Sequence, residues 1–506
     1  MAPAHHDTHG VVRQAQDDNN SAANAPYMAL LPLMRRKVHA PVAASEGRVR
    51  IAKFGMYLAG FMAVVNISVV YLALPSIEHA IRADIDEQEW ILSIYPLMEG
   101  GFTLAAGTLG DLYGRKKVMA LMTWLFTLAT IACALAPSPL ALIVARGFQG
   151  LGGAGLLSLP VAILVQMLPD PTDCEDAIKN FAMVAGLGAV AGPAIGGVLV
   201  HYLGWPSIFY LSVLMSLGVL LSLPSTEESK RDPSLRIDGL GQALSILSFL
   251  AVSFALIEGN DNGWTSPIIL GAFALSVVSI VAFLFVEKKV AQPMVHLRYF
   301  KVPRFNVALL TIGGINFAWY GVMLLCTLFL QNALHQSALL AGFYLMPSNI
   351  AFFLANQYSS RIQKRTGALG IILLAFIISI AGMAWLGVLG TSAAAWEVSA
   401  GLFIAGIGWG FAFTPAASMG MAAVTTTDEG FASGAEALAR SLFGVFGIAV
   451  LGSVLAAGIS GGSFVSGLHL ALYVCIGLTV IIGVAIFVLL TRPSSFDGAP
   501  NGARSG

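Results

Sequence analysis

Two ionisable residues stand deep in apolar runs of this chain. Glu99 lies about nine residues into one run and Arg146 about seven into another, or roughly 14 Å and 10 Å at about 1.5 Å per helical residue. An ionised group at the centre of a bilayer costs on the order of 2.5–3.5 kcal/mol on insertion scales, so such residues face a partner or a cavity. A carboxyl there can carry a proton. Desolvation disfavours its charge, a nearby guanidinium favours it, and opening the site to either side changes the balance. Glu99 is therefore the candidate proton carrier, with Arg146 as its modulator. Glu436 and Arg440, four apart, share a helix face and read as an internal pair, with Glu436 as the fallback carrier.

Other chemistries find little support. His201, His335 and His469 are isolated, and the chain has no Gly-Lys-Ser/Thr phosphate loop, so neither an enzyme nor an ATP-driven pump is expected. The cysteines Cys133, Cys174, Cys326 and Cys475 are far apart and read as buried thiols, with no disulfide frame and no metal site. His5, His6 and His9 read as part of a flexible tail. No cofactor is implied. Broad-specificity pockets are apolar with a few polar groups. The candidates for substrate contact are Asn66 and Tyr71 in the first helix and Asn316, Trp319 and Tyr320 in the ninth, followed by Trp409 and Phe413 in the twelfth.

The elements that must position these residues follow from composition. Only 11% of the 506 residues are charged and 57% are hydrophobic, with a mean hydropathy of +0.79. A soluble domain carries about a quarter charged residues, so lipid is the expected solvent. Net charge is zero, which implies no general attraction to nucleic acid. A bilayer core of about 30 Å calls for about 20 apolar helical residues. Fourteen such runs are present, beginning near 54, 90, 118, 139, 181, 206, 239, 266, 305, 339, 368, 396, 433 and 467. The fold class is thus an all-α polytopic membrane protein. Its expected plan is a tail (1–53), a six-helix bundle (54–224), a linker with two extra helices (225–304), a second six-helix bundle (305–491) and a tail (492–506).

Basic residues set the orientation. The clusters Arg115-Lys116-Lys117, Lys230-Arg231, Lys288-Lys289 and Arg361 to Arg365 all fall on one side, and Arg82 alone lies in an opposite loop. Both termini are expected in the cytoplasm, with the chain in the plasma membrane. Residues 1–26 are polar and are not expected to act as a signal peptide.

After the second helix comes Gly107-Thr108-Leu109-Gly110-Asp111-Leu112-Tyr113-Gly114-Arg115-Lys116-Lys117. Its glycines allow close helix approach and a tight turn, Asp111 can pair with a base, and the cations hold the loop in the cytoplasm. This segment resembles the signature loop of the major facilitator superfamily. Arg146-Gly147-Phe148-Gln149-Gly150 resembles its intramembrane arginine motif, and the stretch from Gly188 to Gly197, with Gly192-Pro193 at its centre, resembles its antiporter motif. Glu258 to Pro267 and Gly430 to Arg440 resemble the fourteen-helix drug:proton antiporter branch. Pro193 also removes a backbone hydrogen bond, an independent reason to expect a bend.

The resemblance implies alternating access between two bundles, with export coupled to inward proton flow. Asp111 and Arg115 would help latch the cytoplasmic side, with Gly107 and Gly114 shaping the loop and Gly192-Pro193 the packing of the fifth helix. The implied partners are a small, lipophilic cargo such as a drug or antibiotic, protons and the bilayer. An exporter of one endogenous product, such as a siderophore, lipid or antibiotic, is the alternative. One departure stands out: many members of the branch carry an acid in the first helix where this chain has Asn66, and the family's later Asn corresponds to Tyr71.

Overall fold

The structure is a computed structural model that describes residues 46–232, 238–290, 293, 295–425 and 428–491. The expected C-terminal tail, the tail histidines and parts of both polar connectors lie outside the described residues. The first half is built from α1 (Glu46–Ile81), α2 (Ile85–Tyr113), α3 (Arg115–Ala134), α4 (Pro139–Met167), α5 (Pro171–Leu203) and α6 (Ser207–Ser222). Two further helices follow, α7 (Gly239–Ile257) and α8 (Pro267–Lys289). The second half holds α9 (Pro303–Leu328), a helix Ala338–Leu386 that divides into α10 (338–366) and α11 (368–386), then α12 (Ala395–Ala422), α13 (Glu429–Gly461) and α14 (Phe464–Thr491).

Among the described residues, twelve continuous helices are long and apolar enough to cross a membrane. Ala338–Leu386, with 49 residues, would be about 74 Å long if straight, more than twice a bilayer core. It breaks at Gly367, whose φ of 73° and ψ of 169° leave the helical region, and so supplies two crossings. α2 is less apolar because Asp86, Glu87, Glu89, Glu99 and Asp111 lie along it, yet it packs between α4 and α13. Fourteen crossings result.

Helix starts follow local chemistry. Asp84 and Glu87 form a reciprocal capping box at α2, and Ser138-Pro139, Asp170-Pro171 and Ser266-Pro267 begin α4, α5 and α8. The amide hydrogen bond from Thr172 holds the Asp170 carboxyl below its usual range. α1 begins earlier than expected: residues 46–53, read from sequence as tail, form its first two turns. Arg48 donates to the Pro224 carbonyl at 3.4 Å, and Ala52 is fully buried, so these turns pack onto the end of α6.

Within the first half α1 packs on α5 and α6, and α4 on α2 and α3. In the second, α9 packs on α13 and α12. The halves meet along two seams, α2 against α13 and α5 against α10. α7 lies on the first of these. Gln242 donates to the Gly101 carbonyl of α2 at 2.6 Å, and Ser453 of α13 donates to the Leu256 carbonyl at 2.6 Å. One end of the molecule carries Gly114 and Arg361 to Arg365 and is basic; the other carries Asp84, Asp86 and Glu258 and is acidic. At the acidic end the halves touch: the Tyr71 hydroxyl donates to the Tyr320 carbonyl at 3.3 Å, and Gln331 to the Leu72 carbonyl at 3.4 Å.

Candidate functional site

Glu99 is only 4% exposed, at the junction of α2, α4 and α13. Small residues make the room. A Cβ on Gly153 of α4 would come within 3.2 Å of Glu99 Oε1, and one on the neighbouring Gly100 would overlap Ser441 of α13. The Tyr95 hydroxyl, one turn back on α2, donates to Glu99 Oε1 at 2.9 Å. Arg146 is fully buried on α4, with its guanidinium carbon 4.5 Å from the centre of the Tyr95 ring. It donates through Nε to the Ile91 carbonyl at 3.2 Å and through Nη1 to Gln149 Oε1 at 2.8 Å, while Nη2 has no hydrogen-bond partner among the described residues. Glu99 and Arg146 are expected at similar depths. They do lie in one cluster, but Tyr95 stands between them and they make no ion pair.

The second cation beside Glu99 comes from the other half. Arg440 of α13 interacts electrostatically with the Glu99 carboxyl, as Arg146 does, and its guanidinium lies 5.5 Å from the Phe413 ring. Glu436 and Arg440 form no close ion pair, although the Arg440 charge still acts on the Glu436 carboxyl. Glu436 Oε1 faces Gly420 of α12 without a hydrogen-bond partner among the described residues, and Arg440 turns toward α12 and the seam. Residues four apart share a helix face, but here their neighbours on other helices decide where the charged ends go.

The aromatic candidates form a chain. Trp319 stacks on Phe352 of α10 at 5.7 Å between centroids and 8° between planes, and meets Tyr320 edge-on at 5.7 Å. Phe352 in turn meets Phe413 of α12 at 5.6 Å. Trp319, Phe352 and Phe413 are partly exposed, whereas Trp409 is 2% exposed within the second half. Asn316 is buried and donates to the Ile312 carbonyl at 2.8 Å. Tyr71 and Tyr320 join the two halves, as described above. Asn66 departs from expectation. Its Nδ2 donates to the Met62 carbonyl, and its Oδ1 accepts from Gln149 Nε2 and Ser212 Oγ, each at 3.2 Å. It is held inside the first half among α1, α4 and α6. Sequence reasoning also passed over Tyr95, whose i−4 spacing to Glu99 was the available signal, and Phe352, for which no local signal existed.

At the basic end, Asp111 accepts from Arg115 Nε at 3.0 Å and pairs with its Nη2 at 2.9 Å, while Arg115 Nη1 donates to the Ala162 carbonyl of α4 at 2.9 Å. Gly114 alone separates α2 from α3, with a φ of 106° that suits glycine. The Glu228 carboxylate accepts from the amides of Lys116 at 3.0 Å and Lys117 at 3.1 Å, capping α3 from the connector that leaves α6. Gly107, expected at a close helix contact, faces open space; Gly110 makes the close approach, to Leu159. On α5, a side chain at Gly192 would overlap Ser68 of α1, and Pro193 presents its carbonyl to Gly342 of α10 across the second seam. α5 runs without a helical break through Pro193.

The chain is similar to known proteins over most of its length. A model of the Major Facilitator Superfamily matches residues 56–448. The multidrug resistance protein Stp of Mycobacterium tuberculosis is 34% identical over 79% of this chain and 74% of its own length. The methylenomycin A resistance protein of Streptomyces coelicolor is 30% identical over 78% of this chain and 83% of its own. The crystal structure of the POT family transporter PepTSo superposes with a TM-score of 0.65 at 10% identity, over 88% of this chain and 99% of that one, and so speaks to the fold alone. A fourteen-helix membrane protein with this loop, this buried arginine and these relatives belongs to the major facilitator superfamily, as a transporter grouped with its drug-efflux members.

Proposed function

We propose that this protein exports small lipophilic molecules of the drug or antibiotic class from the cell by exchange for protons, with the two halves giving access to each side in turn. The observation that carries this reading is Glu99. It is a buried carboxyl on the seam between the halves, held by Tyr95 and flanked by one arginine from each half. Motion of α13 relative to α2 changes the distance from Glu99 to Arg440 while Arg146 and Tyr95 travel with it, so proton affinity and conformation are linked at one residue. Glu436, inside the second half, is the fallback carrier.

Orientation follows the excess of basic residues, which puts the basic end and both termini in the cytoplasm of a plasma-membrane protein. The closed contacts at Tyr71, Tyr320 and Gln331 then belong to the outer side. The partly exposed stack of Trp319, Phe352 and Phe413 supplies an apolar face for cargo, with Asn316, Tyr71 and Tyr320 near it. Asp111, Gly114 and Arg115 brace the cytoplasmic ends of α2, α3 and α4, and Gly192-Pro193 sets the approach of α5 to its neighbours. A second reading, export of one particular product, draws support from the relative named for a single antibiotic.

The test is transport in proteoliposomes under an imposed pH gradient, across cationic, neutral and anionic compounds. The protein as it stands should move at least one class against its gradient, and Glu99→Gln should abolish that movement while folding normally. Gradient-driven transport by Glu99→Gln at the original rate would exclude Glu99. Transport indifferent to the pH gradient would exclude proton exchange itself.

A further inference from the structure

A second carboxyl is buried at the acidic end of the α2–α13 seam. Glu89 has no exposed surface, and neither of its carboxyl oxygens has a hydrogen-bond partner among the described residues. Its carboxyl lies against Gly452 of α13, on the opposite half, where any added Cβ would overlap it. One turn further in along the same face of α2, Ser93 is also fully buried, with its hydroxyl unpaired among the described residues. The charged groups facing Glu89 are Asp86 on its own helix and Glu258 at the end of α7, both acids; α13 presents Gly452.

An ionised carboxyl in this position would be stripped of water, repelled by two neighbours of its own sign and bonded to nothing. A neutral acid tolerates those surroundings and an anion does not. The glycine at 452 matters, because it lets the two halves close directly over the group. We propose that Glu89 is a second proton-binding site, which takes a proton from the outer side as the halves close there and returns it as they part. The proposal rests on the reading of the chain as a proton-driven exporter and adds a separate part to it. Glu99 carries the proton across, while Glu89 makes closure of the outer seam depend on outer proton concentration. The sign suits export: once cargo has left, protonation favours the closed outer seam and the return stroke.

The test follows the separation of the two halves at this end. Spin labels on Ala80→Cys and Asn332→Cys, both exposed and one on each half at this end, report its opening in lipid nanodiscs by their separation. With Glu89 in place, the short-distance population should grow as pH falls. In Glu89→Gln it should dominate at every pH, and in Glu89→Asp the response should return. A Glu89→Gln protein that keeps the original pH response would overturn the proposal, as would one held open. Glu99→Gln serves as the separate arm: it should lose gradient-driven transport yet keep the response of the outer seam. Should transport ignore the pH gradient while the seam still responds through Glu89, proton exchange fails and the Glu89 site stands.

Discussion

The hydroxyl of Tyr95 donates to Oε1 of Glu99 at 2.9 Å while the guanidinium of Arg146 lies over the same ring, 4.5 Å from its centre. The tyrosine thus touches both charged groups and keeps them apart. A donor to a carboxylate stabilises its ionised form, by about 1.5–3 kcal/mol in a charge-assisted bond. Tyr95→Phe removes that donor and keeps the ring beneath Arg146. Proton-coupled transport should persist, with its pH profile moved about one unit higher, since about 1.4 kcal/mol corresponds to one unit. Initial rates across a series of pH values measure the midpoint, and an unmoved midpoint would remove Tyr95 from the mechanism.

Asn66 makes a different kind of prediction, because it serves as a buried cross-link. Asn66→Ala takes the shared acceptor from Gln149 and Ser212 and leaves a small void among α1, α4 and α6. Each donor keeps another acceptor, Thr130 Oγ1 for Gln149 and the Ile208 carbonyl for Ser212. The cost is therefore about 1–3 kcal/mol of stability. Thermal unfolding in detergent should show a lower midpoint, while the relative transport rates of different cargoes stay the same. A change in cargo preference without loss of stability would return Asn66 to the passage.

Asn66 and Arg440 show where the sequence was readable and where it was not. The number of crossings follows from the length of apolar runs, a local property, and so does the break at Gly367 between two of them. The side toward which a residue points does not. A helix apolar all round carries little amphipathic signal to fix its rotation, and each residue step turns the side chain by about 100°. Depth alone is therefore enough to bring Glu99 near Arg146, whereas it says nothing of the hydrogen bonds that hold Asn66 between α4 and α6. Spacing pairs Arg440 with Glu436, and the two do interact electrostatically, but Arg440 also meets Phe413 of α12 and acts on Glu99 across the seam, and no periodicity within α13 records those contacts. The start of α1 was missed for a related reason. Its first turns are polar enough to read as tail, and only the end of α6 makes them a packed helix.

Outside the bilayer, Glu228 ties the connector after α6 to the turn between α2 and α3. Its carboxylate accepts from the amides of Lys116 and Lys117, two of the orphan donors at the start of α3, and Ser229 accepts from the Arg115 amide at 2.9 Å. An acceptor at a helix start contributes about 1 kcal/mol, and the helix dipole favours its negative charge there. Glu228→Ala should therefore raise hydrogen exchange at the amides of Lys116 and Lys117 about five-fold, the factor that about 1 kcal/mol gives, assuming exchange by local opening. The Asp111–Arg115 pair stays in place, because Arg115 is still fixed by the Ala162 carbonyl of α4. Transport should slow, with cargo affinity unchanged, if the connector to the two extra helices steadies the loop during the stroke. Exchange at Lys116 and Lys117 equal to that of the original protein would show that the cap contributes nothing, and that Gly114 and the Asp111–Arg115 pair hold the turn by themselves.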